Sequence, residues 1–394
     1  MKKDHSNLLS KQVTGIPFSG IRKFFDLVQE SEDIISLGVG EPDFPTPEPV
    51  KDAAIRAIEN DLTSYTSNFG IPELRQKISE KLKKQNNVTA DPKKGILVTV
   101  GVSEALDLAI RAVVNPGEQV LVPDPGYVSY KANVWFAYGE PVLVPTYEED
   151  GFRLQAEQIK KRLTKKSKAI LIASPANPTG SVMKKKELEE IADIAVDKDL
   201  VVITDEIYEV LIYDGEKHYS MASLNGMGDR TITLNGFSKS SAFTGWRLGY
   251  AAANPEFIEA MMKIHQYTVM CPSSISQYAA LESFKHGRFV EDMVKDYDRR
   301  RRLIVKGLND IEGLSCITPK GAFYAFPNIT QTGLSSEEFA ERLLKEAGVA
   351  AVPGTAFGNA GEGYVRCAYC VSREDIDEAL HRIEKFMKNL MKKK

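Results

Sequence analysis

Short runs of consecutive apolar residues alternate along this chain with stretches whose apolar positions recur every three or four residues. The runs fall at 96–100, 120–123, 141–144, 169–173, 201–204 and 231–234. A run of four to seven apolar residues between turn residues predicts a strand buried on both faces. Helical patterns separate most of them, including 49–60, 73–84 and 101–114. In the first, Val50, Ala53, Ala54 and Ile58 are expected on one face. Strand and helix in alternation predict an α/β fold with a mainly parallel, doubly wound sheet.

After about residue 290 the texture changes. A charged helix passes through 296–302 to about 309, and short strands follow near 323–326, 350–352 and 364–367. Helices are predicted at 336–346 and 373–391. This predicts a smaller α+β domain. The expected organisation is an N-terminal arm and part of the small domain (1–47), a large domain (48–290) and a small C-terminal domain (291–394). The arm carries apolar patches at Ile16 to Phe18 and from Ile21 onward, and a strand-like run at 34–39 ends in a rigid Gly/Pro turn, 40–47.

Composition narrows the function classes. A net charge of −3 over 394 residues gives no electrostatic case for nucleic acid or a membrane surface. No apolar run approaches 18 residues and no apolar segment follows the two N-terminal lysines, so neither a membrane span nor a signal peptide is expected. Cys367 and Cys370 form a CxxC without a second pair or a nearby histidine, which reads as reduced cytosolic thiols. No metal centre is expected, and the location expected is the cytoplasm.

The chemistry concentrates in 235–249, where Lys239 stands among Ser238, Ser240, Ser241 and Ala242, with Arg247 eight positions on. Small neighbours leave room for a bulky group at the amine, and a lysine in such a pocket loses its proton more easily and forms Schiff bases. Alone, Lys239 also reads as an ordinary loop lysine. Asp205, at the end of the 201–204 run, also reads as a helix N-cap. The turn 101–105, small residues opening a helix after a strand, aims free N–H groups at an anion, and also reads as a serine cap without a ligand.

Taken together, these stretches resemble the class I and II aminotransferases. Gly236 through Gly249 meets every restricted position of that family's lysine signature, Ser174 to Gly180 contains its Asn-Pro-Thr-Gly string, and Asp205 with Tyr208 its Asp-x-x-Tyr. The resemblance implies pyridoxal 5'-phosphate as cofactor, held by Lys239 through a Schiff base. It implies Asp205 on the ring nitrogen, and Tyr208 and Asn177 on the ring hydroxyl. It also implies Tyr127 stacked on the ring, and Val102, Ser103, Glu104 and Arg247 on the phosphate. Gly236 replaces a family serine that contacts the phosphate, and Ser238 is the candidate substitute. Asn177, Gly40 and Arg366 would hold the substrate, with Arg366 on its α-carboxylate. Tyr65 resembles a tyrosine that reaches the neighbouring subunit's phosphate, which implies a homodimer with shared sites.

The activity so implied is ping-pong amino transfer between an L-amino acid, aspartate or aromatic, and a 2-oxo acid such as 2-oxoglutarate. Ile16, Phe18 and Ile21 would form an apolar lid suited to aromatic donors, whereas Arg22 would favour an acidic one. A β-lyase on the same fold and a non-catalytic cofactor-fold protein are the alternatives. A nicotinamide dehydrogenase is disfavoured because no GxGxxG follows an early strand.

Overall fold

The computed structural model describes residues 8–18, 20 and 33–392. The lid residue Ile21 and the candidate specificity residue Arg22 lie outside the described residues. Strand β1 (Ile35–Ser36) is shorter than the run 34–39 that announced it, because it pairs with only two residues, Val349 and Ala350. The main sheet contains β2 (Ile96–Thr99), β3 (Gln119–Asp124), β4 (Glu140–Pro145), β5 (Ser167–Ala173), β6 (Val201–Asp205), β7 (Thr231–Gly236) and β8 (Gly249–Ala252). Their spatial order is β2-β8-β7-β6-β5-β3-β4. The pairs β3–β4, β3–β5, β5–β6 and β6–β7 are parallel, and β8 runs antiparallel between β2 and β7.

Both faces of this sheet are dry, and the alternation along β5 shows why contiguous apolar runs built it. Ala169 and Leu171 join one core with helices Gly101–Val113 and Pro255–Thr268. Ile170 and Ile172 join the opposite core with helix Lys185–Asp197. Side chains at successive strand positions point to opposite faces.

A second region follows in sequence. Helices Gly287–Asp310, Ser336–Ala347 and Arg373–Met391 pack on a three-stranded sheet of β9 (Tyr324–Ala325), β11 (Val352–Pro353) and β12 (Val365–Ala368), and beside it β10 (Val349–Ala350) pairs with β1. Helix Arg373–Met391 buries Ile376, Ala379, Ile383, Phe386, Met387 and Leu390, and Ser372 accepts the Asp375 N–H at its start. These are the helical spacing and N-cap that define a surface helix.

The structure departs from the sequence pattern in several places. Helix Glu48–Glu59 buries Val50, Ala54 and Ala57, whereas Ile58 is 52% exposed and Ala53 half-buried. Helix Pro72–Lys81 stops short of 84 and continues as a π turn, Leu82–Asn86, closed by left-handed Asn87. The run 350–352 divides between β10 and β11 because each half pairs with a different strand. Strand β8 was not apparent in Gly249 to Ala252 at all. No helix among the described residues is long and apolar enough to cross a membrane.

Glycines let β8 lie against the start of helix Gly101–Val113. A methyl group at Gly249 would stand 2.6 Å from Val102 N and 2.7 Å from the Gly101 carbonyl carbon, both backbone atoms that cannot swing aside. Gly101 itself has φ +71°. Gly249→Ala is therefore expected to lower unfolding free energy by about 1–3 kcal/mol, as overpacking does. Urea unfolding measures it, and a midpoint equal to wild type would show that the contact relaxes freely.

Candidate active site

The carboxyl ends of β2, β5, β6 and β7 carry the candidate residues into one crevice, where ligands of open α/β sheets bind. The cleft is about 380 Å³ and is lined by Gly40, Val102, Ser103, Tyr127, Asn177, Asp205, Tyr208, Ser238, Lys239, Arg247 and Arg366, among others. Four described sequence candidates are absent from its lining: Ile16 and Phe18, expected as an apolar lid, of which Phe18 is 90% exposed, and Glu104 and Tyr65. Glu104 turns its carboxylate away, accepting the Val100 N–H at 2.5 Å and pairing with His265 Nδ1 at 2.7 Å. Only its backbone N–H belongs to the helix opening. Tyr65 is 83% exposed on the outer surface of this chain.

Lys239 follows β7, and its Nζ donates to Gly40 O at 2.6 Å. It lies 5.8 Å from the Tyr208 ring centre and 5.5 Å from that of Phe323. Burial lowers its pKa to about 8, and Arg366 and Arg247 act in the same direction. An amine in this state is a nucleophile and a proton acceptor at mildly alkaline pH.

Asp205 ends β6. Its Oδ2 accepts from Tyr130 Oη at 2.8 Å and its Oδ1 from the Ile207 N–H at 3.2 Å. It caps no helix. Burial pushes its pKa up to about 6, against the opposing effect of the Tyr130 hydrogen bond. A buried carboxylate of this kind lacks a cation and is suited to receive one.

Arg366, on β12, donates through Nη1 to Asn177 Oδ1 at 3.0 Å and through Nη2 to Gly38 O at 2.5 Å. Its guanidinium lies over the rings of Tyr324, at 4.5 Å, and Phe357, at 4.8 Å. Its Nε is buried without a partner among the described residues. The Tyr208 hydroxyl meets that of Tyr324 at 2.7 Å.

The helix opening at Gly101, the expected anion cradle, lies beside Arg247. Arg247, left-handed at φ +53°, rests its guanidinium on Gly101, where a methyl group would stand 2.5 Å from Nη2. Gly236 cannot bear a side chain, because a methyl there would lie 2.9 Å from Gly249 Cα and 3.0 Å from Leu248 O. Ser238, two residues on, lines the cleft instead. Tyr127 precedes helix Ser129–Phe136 rather than opening it, and its ring meets Tyr130 edge-on at 5.5 Å.

Tyr130 and Tyr324 escaped the sequence analysis. Tyr130 was within reach of it, since i and i+3 share one face of a helical turn. Tyr324 was not, because its partner Tyr208 is 116 residues away.

The aminotransferase class I and II family model matches residues 32–383. The chain belongs to that family. It is 55% identical to an aspartate aminotransferase of Pyrococcus abyssi over 94% of this chain and 96% of that one. It is 50% identical to aromatic-amino-acid aminotransferase 2 of Thermococcus litoralis, covering 96% of this chain and 98% of the relative. The solved aromatic aminotransferase of Pyrococcus horikoshii superposes with a TM-score of 0.89 at 52% identity, over 93% of this chain and 99% of that one. The fold is that of these transaminases.

The raised pKa of Asp205 has a consequence for stability. Between the unfolded carboxyl value, about 4, and the folded value, about 6, the folded state binds the extra proton, so stability falls as pH rises through that window. Asp205→Asn removes this effect. For protein without ligand, the variant is expected to exceed wild type by about 1–3 kcal/mol at pH 7, with the difference shrinking toward pH 4. Denaturant titrations at a series of pH values test it, and a pH-independent difference would refute the linkage.

Proposed function

We propose that the cleft holds pyridoxal 5'-phosphate and that the chain transfers an amino group between an aspartate or aromatic L-amino acid and a 2-oxo acid such as 2-oxoglutarate. The observation that carries this is the buried, partly neutral Lys239 amine in one cleft with a carboxylate that lacks a cation and a helix N-terminus flanked by arginine. The donor set fits the cofactor group by group. Asp205 matches a ring cation, and Val102, Ser103, Ser238 and Arg247 match a phosphate. Asn177 and Tyr208 match a ring hydroxyl, Tyr127 a ring face, and the free Nε of Arg366 a substrate carboxylate.

When bound, pyridoxal phosphate supplies an electron sink for the charge left at the substrate's Cα. The residues of the chain do the rest. Arg366 and Asn177 orient the carboxylate, Asp205 holds a positive ring nitrogen in a dry setting, and Lys239 takes the Cα proton and returns it. A β-lyase would use the same lysine, and the names of the relatives favour transfer. The same names supply the two donor classes, and kcat/KM for aspartate and phenylalanine, in wild type and Arg22→Ala, ranks them.

The division at 48 and 290 is supported by a core centred on the C-terminal helices, which also takes in Ile207, Tyr208, Leu211 and Tyr213, beside a core centred on the main sheet. A homodimer is supported by apolar side chains open to solvent on one chain, Ile55, Ile58, Leu62, Tyr65, Tyr267 and Met270. A cytoplasmic location fits the four free cysteines.

Borohydride reduction in the presence of cofactor, followed by peptide mapping, is expected to label Lys239. Capture should quicken as pH rises through about 8, where the amine loses its proton. Lys239→Ala should lose turnover by several orders of magnitude and still bind cofactor. A label on another lysine would sink the assignment.

Shared sites predict complementation. Lys239→Ala chains and Tyr65→Phe chains, each impaired alone, should regain turnover when mixed, because a hybrid dimer holds one complete site. Absence of recovery in verified hybrids would place Tyr65 in its own chain's site or in none.

A further inference from the structure

Behind the cleft lies a second polar cluster for which the reaction has no direct use. The segment after β6 reads Asp205-Glu206-Ile207-Tyr208-Glu209. Asp205 and Tyr208 line the cleft, whereas Glu206 and Glu209 do not. Glu206 accepts from Ser220 Oγ at 2.8 Å and faces His218 Nε2 at 3.0 Å. Its backbone N–H donates to Leu234 O at 2.9 Å, which ties it to β7. Glu209 is bonded by Lys81 Nζ and accepts from Asn86 Nδ2 at 2.6 Å, and Lys81 also donates to Asn86 Oδ1 at 2.9 Å. Side-chain exposure is 1% for Glu206, 9% for His218, 10% for Glu209 and 12% for Lys81.

Four ionisable groups withdrawn from water are costly unless paired, and here each acid has a basic partner, Lys81 for Glu209 and His218 for Glu206. The π turn Leu82–Asn86 brings Asn86 to the same carboxylate as Lys81. Ligand atoms of Glu206, Glu209 and His218 lie within 4.8 Å of one another, as a metal site would require. The Lys81 ammonium on Glu209 already supplies a positive charge at that position.

We propose that Glu206, Glu209, Lys81 and His218 form a clamp that positions Asp205 and Tyr208 from behind the cleft. Each anchor is one residue from the group it serves. Displacing Glu206 rotates the peptide that carries Asp205, and displacing Glu209 does the same for Tyr208. Sub-ångström placement of a buried carboxylate decides how well it holds a ring cation, so the clamp acts on turnover more than on substrate binding. These are positioning residues, and the inference rests on the cofactor reading above.

The test compares wild type, His218→Ala, His218→Gln and Ser220→Ala, all loaded with pyridoxal phosphate. His218→Ala is expected to lower kcat about tenfold with KM within about twofold. It should also weaken the circular dichroism of the visible cofactor band, which reports ring orientation. His218→Gln, whose amide still reaches Glu206, should recover most of both. If His218→Ala does not fold, Ser220→Ala, which removes one hydrogen bond to Glu206, should show the same two changes in smaller degree. A lowered melting temperature with kcat per loaded site and the visible band unchanged would reduce the cluster to a structural role and overturn the proposal. So would one zinc per chain retained through gel filtration after exposure to Zn²⁺, lost in His218→Ala. A wild-type protein with no visible cofactor band would sink the cofactor reading itself, which sets that failure apart.

Discussion

The site depends on a lysine ammonium withdrawn from water with a backbone carbonyl, Gly40 O, as its hydrogen-bond partner. A buried ammonium ordinarily sits against a carboxylate, and of the two acids that line this cleft, Glu41 and Asp205, the latter is committed to Tyr130 and to the Ile207 amide. Desolvation therefore dominates, and the pKa of the amine falls to about 8. The segment 38–46 has to be held down for this to persist. Asp43 pairs with Arg300 at 2.7 Å, and Arg300 also donates to Val371 O at 2.8 Å. Thr46 donates to Ala242 O at 2.7 Å and accepts from Trp246 Nε1 at 3.0 Å. Lys239 is thus roofed by a loop tied both to the C-terminal helices and to the turn that follows it in sequence.

A parallel sheet explains why so many groups meet there. Strands β3, β5, β6 and β7 point their carboxyl ends the same way, so each following turn opens on one crevice. Strand β8 does the opposite and returns the chain from Arg247 between β7 and β2. Its glycine allows the helix start at Gly101 to approach, and that approach lets Arg247 flank the helix N-terminus. The shape of the proposed phosphate cradle is therefore a packing result. Glycines 236 and 249 are small because backbone meets backbone at that point, Gly101 because the Arg247 guanidinium lies against it, and the serine of the family pattern has no room at 236.

How much of this was legible in the sequence depended on whether the signal was local. Helix Arg373–Met391 was predicted with the bounds observed. The strands of the main sheet were legible within one or two residues because burial on both faces leaves contiguous apolar runs. Strand β8 was not, since Gly-Tyr-Ala-Ala lacks β-branched residues and is a strand because two neighbours pair with it. Helix Glu48–Glu59 was legible as a helix, but its buried face was misjudged at Ile58, whose exposure on a single chain cannot be read from period alone. Lys239, Asn177 and Asp205 stood in strings long enough to carry a family resemblance. Tyr324 and the acid–base cluster of Lys81, Glu206, Glu209 and His218 depend on contacts across 12 to 128 residues, which no spacing rule reaches.

The charges of the cleft and of the cluster behind it are managed in opposite ways. Behind the cleft, Glu209 is held below the ordinary carboxylate range, its burial outweighed mainly by Lys81. His218 is held above the ordinary imidazole value, its burial outweighed by Glu206. Those groups are stabilised in their charged forms. In the cleft, Asp205 is pushed up and Lys239 down, so both are displaced toward neutrality. A ligand bringing a ring cation to Asp205 and a phosphate to Arg247 would reverse the first displacement. The free energy so recovered appears as binding, and by linkage as added stability of the loaded protein. Cleft and clamp thus divide the work. The clamp is rigid because each of its acids has a basic partner within it, and the cleft is reactive because its charges are left for the ligand to complete.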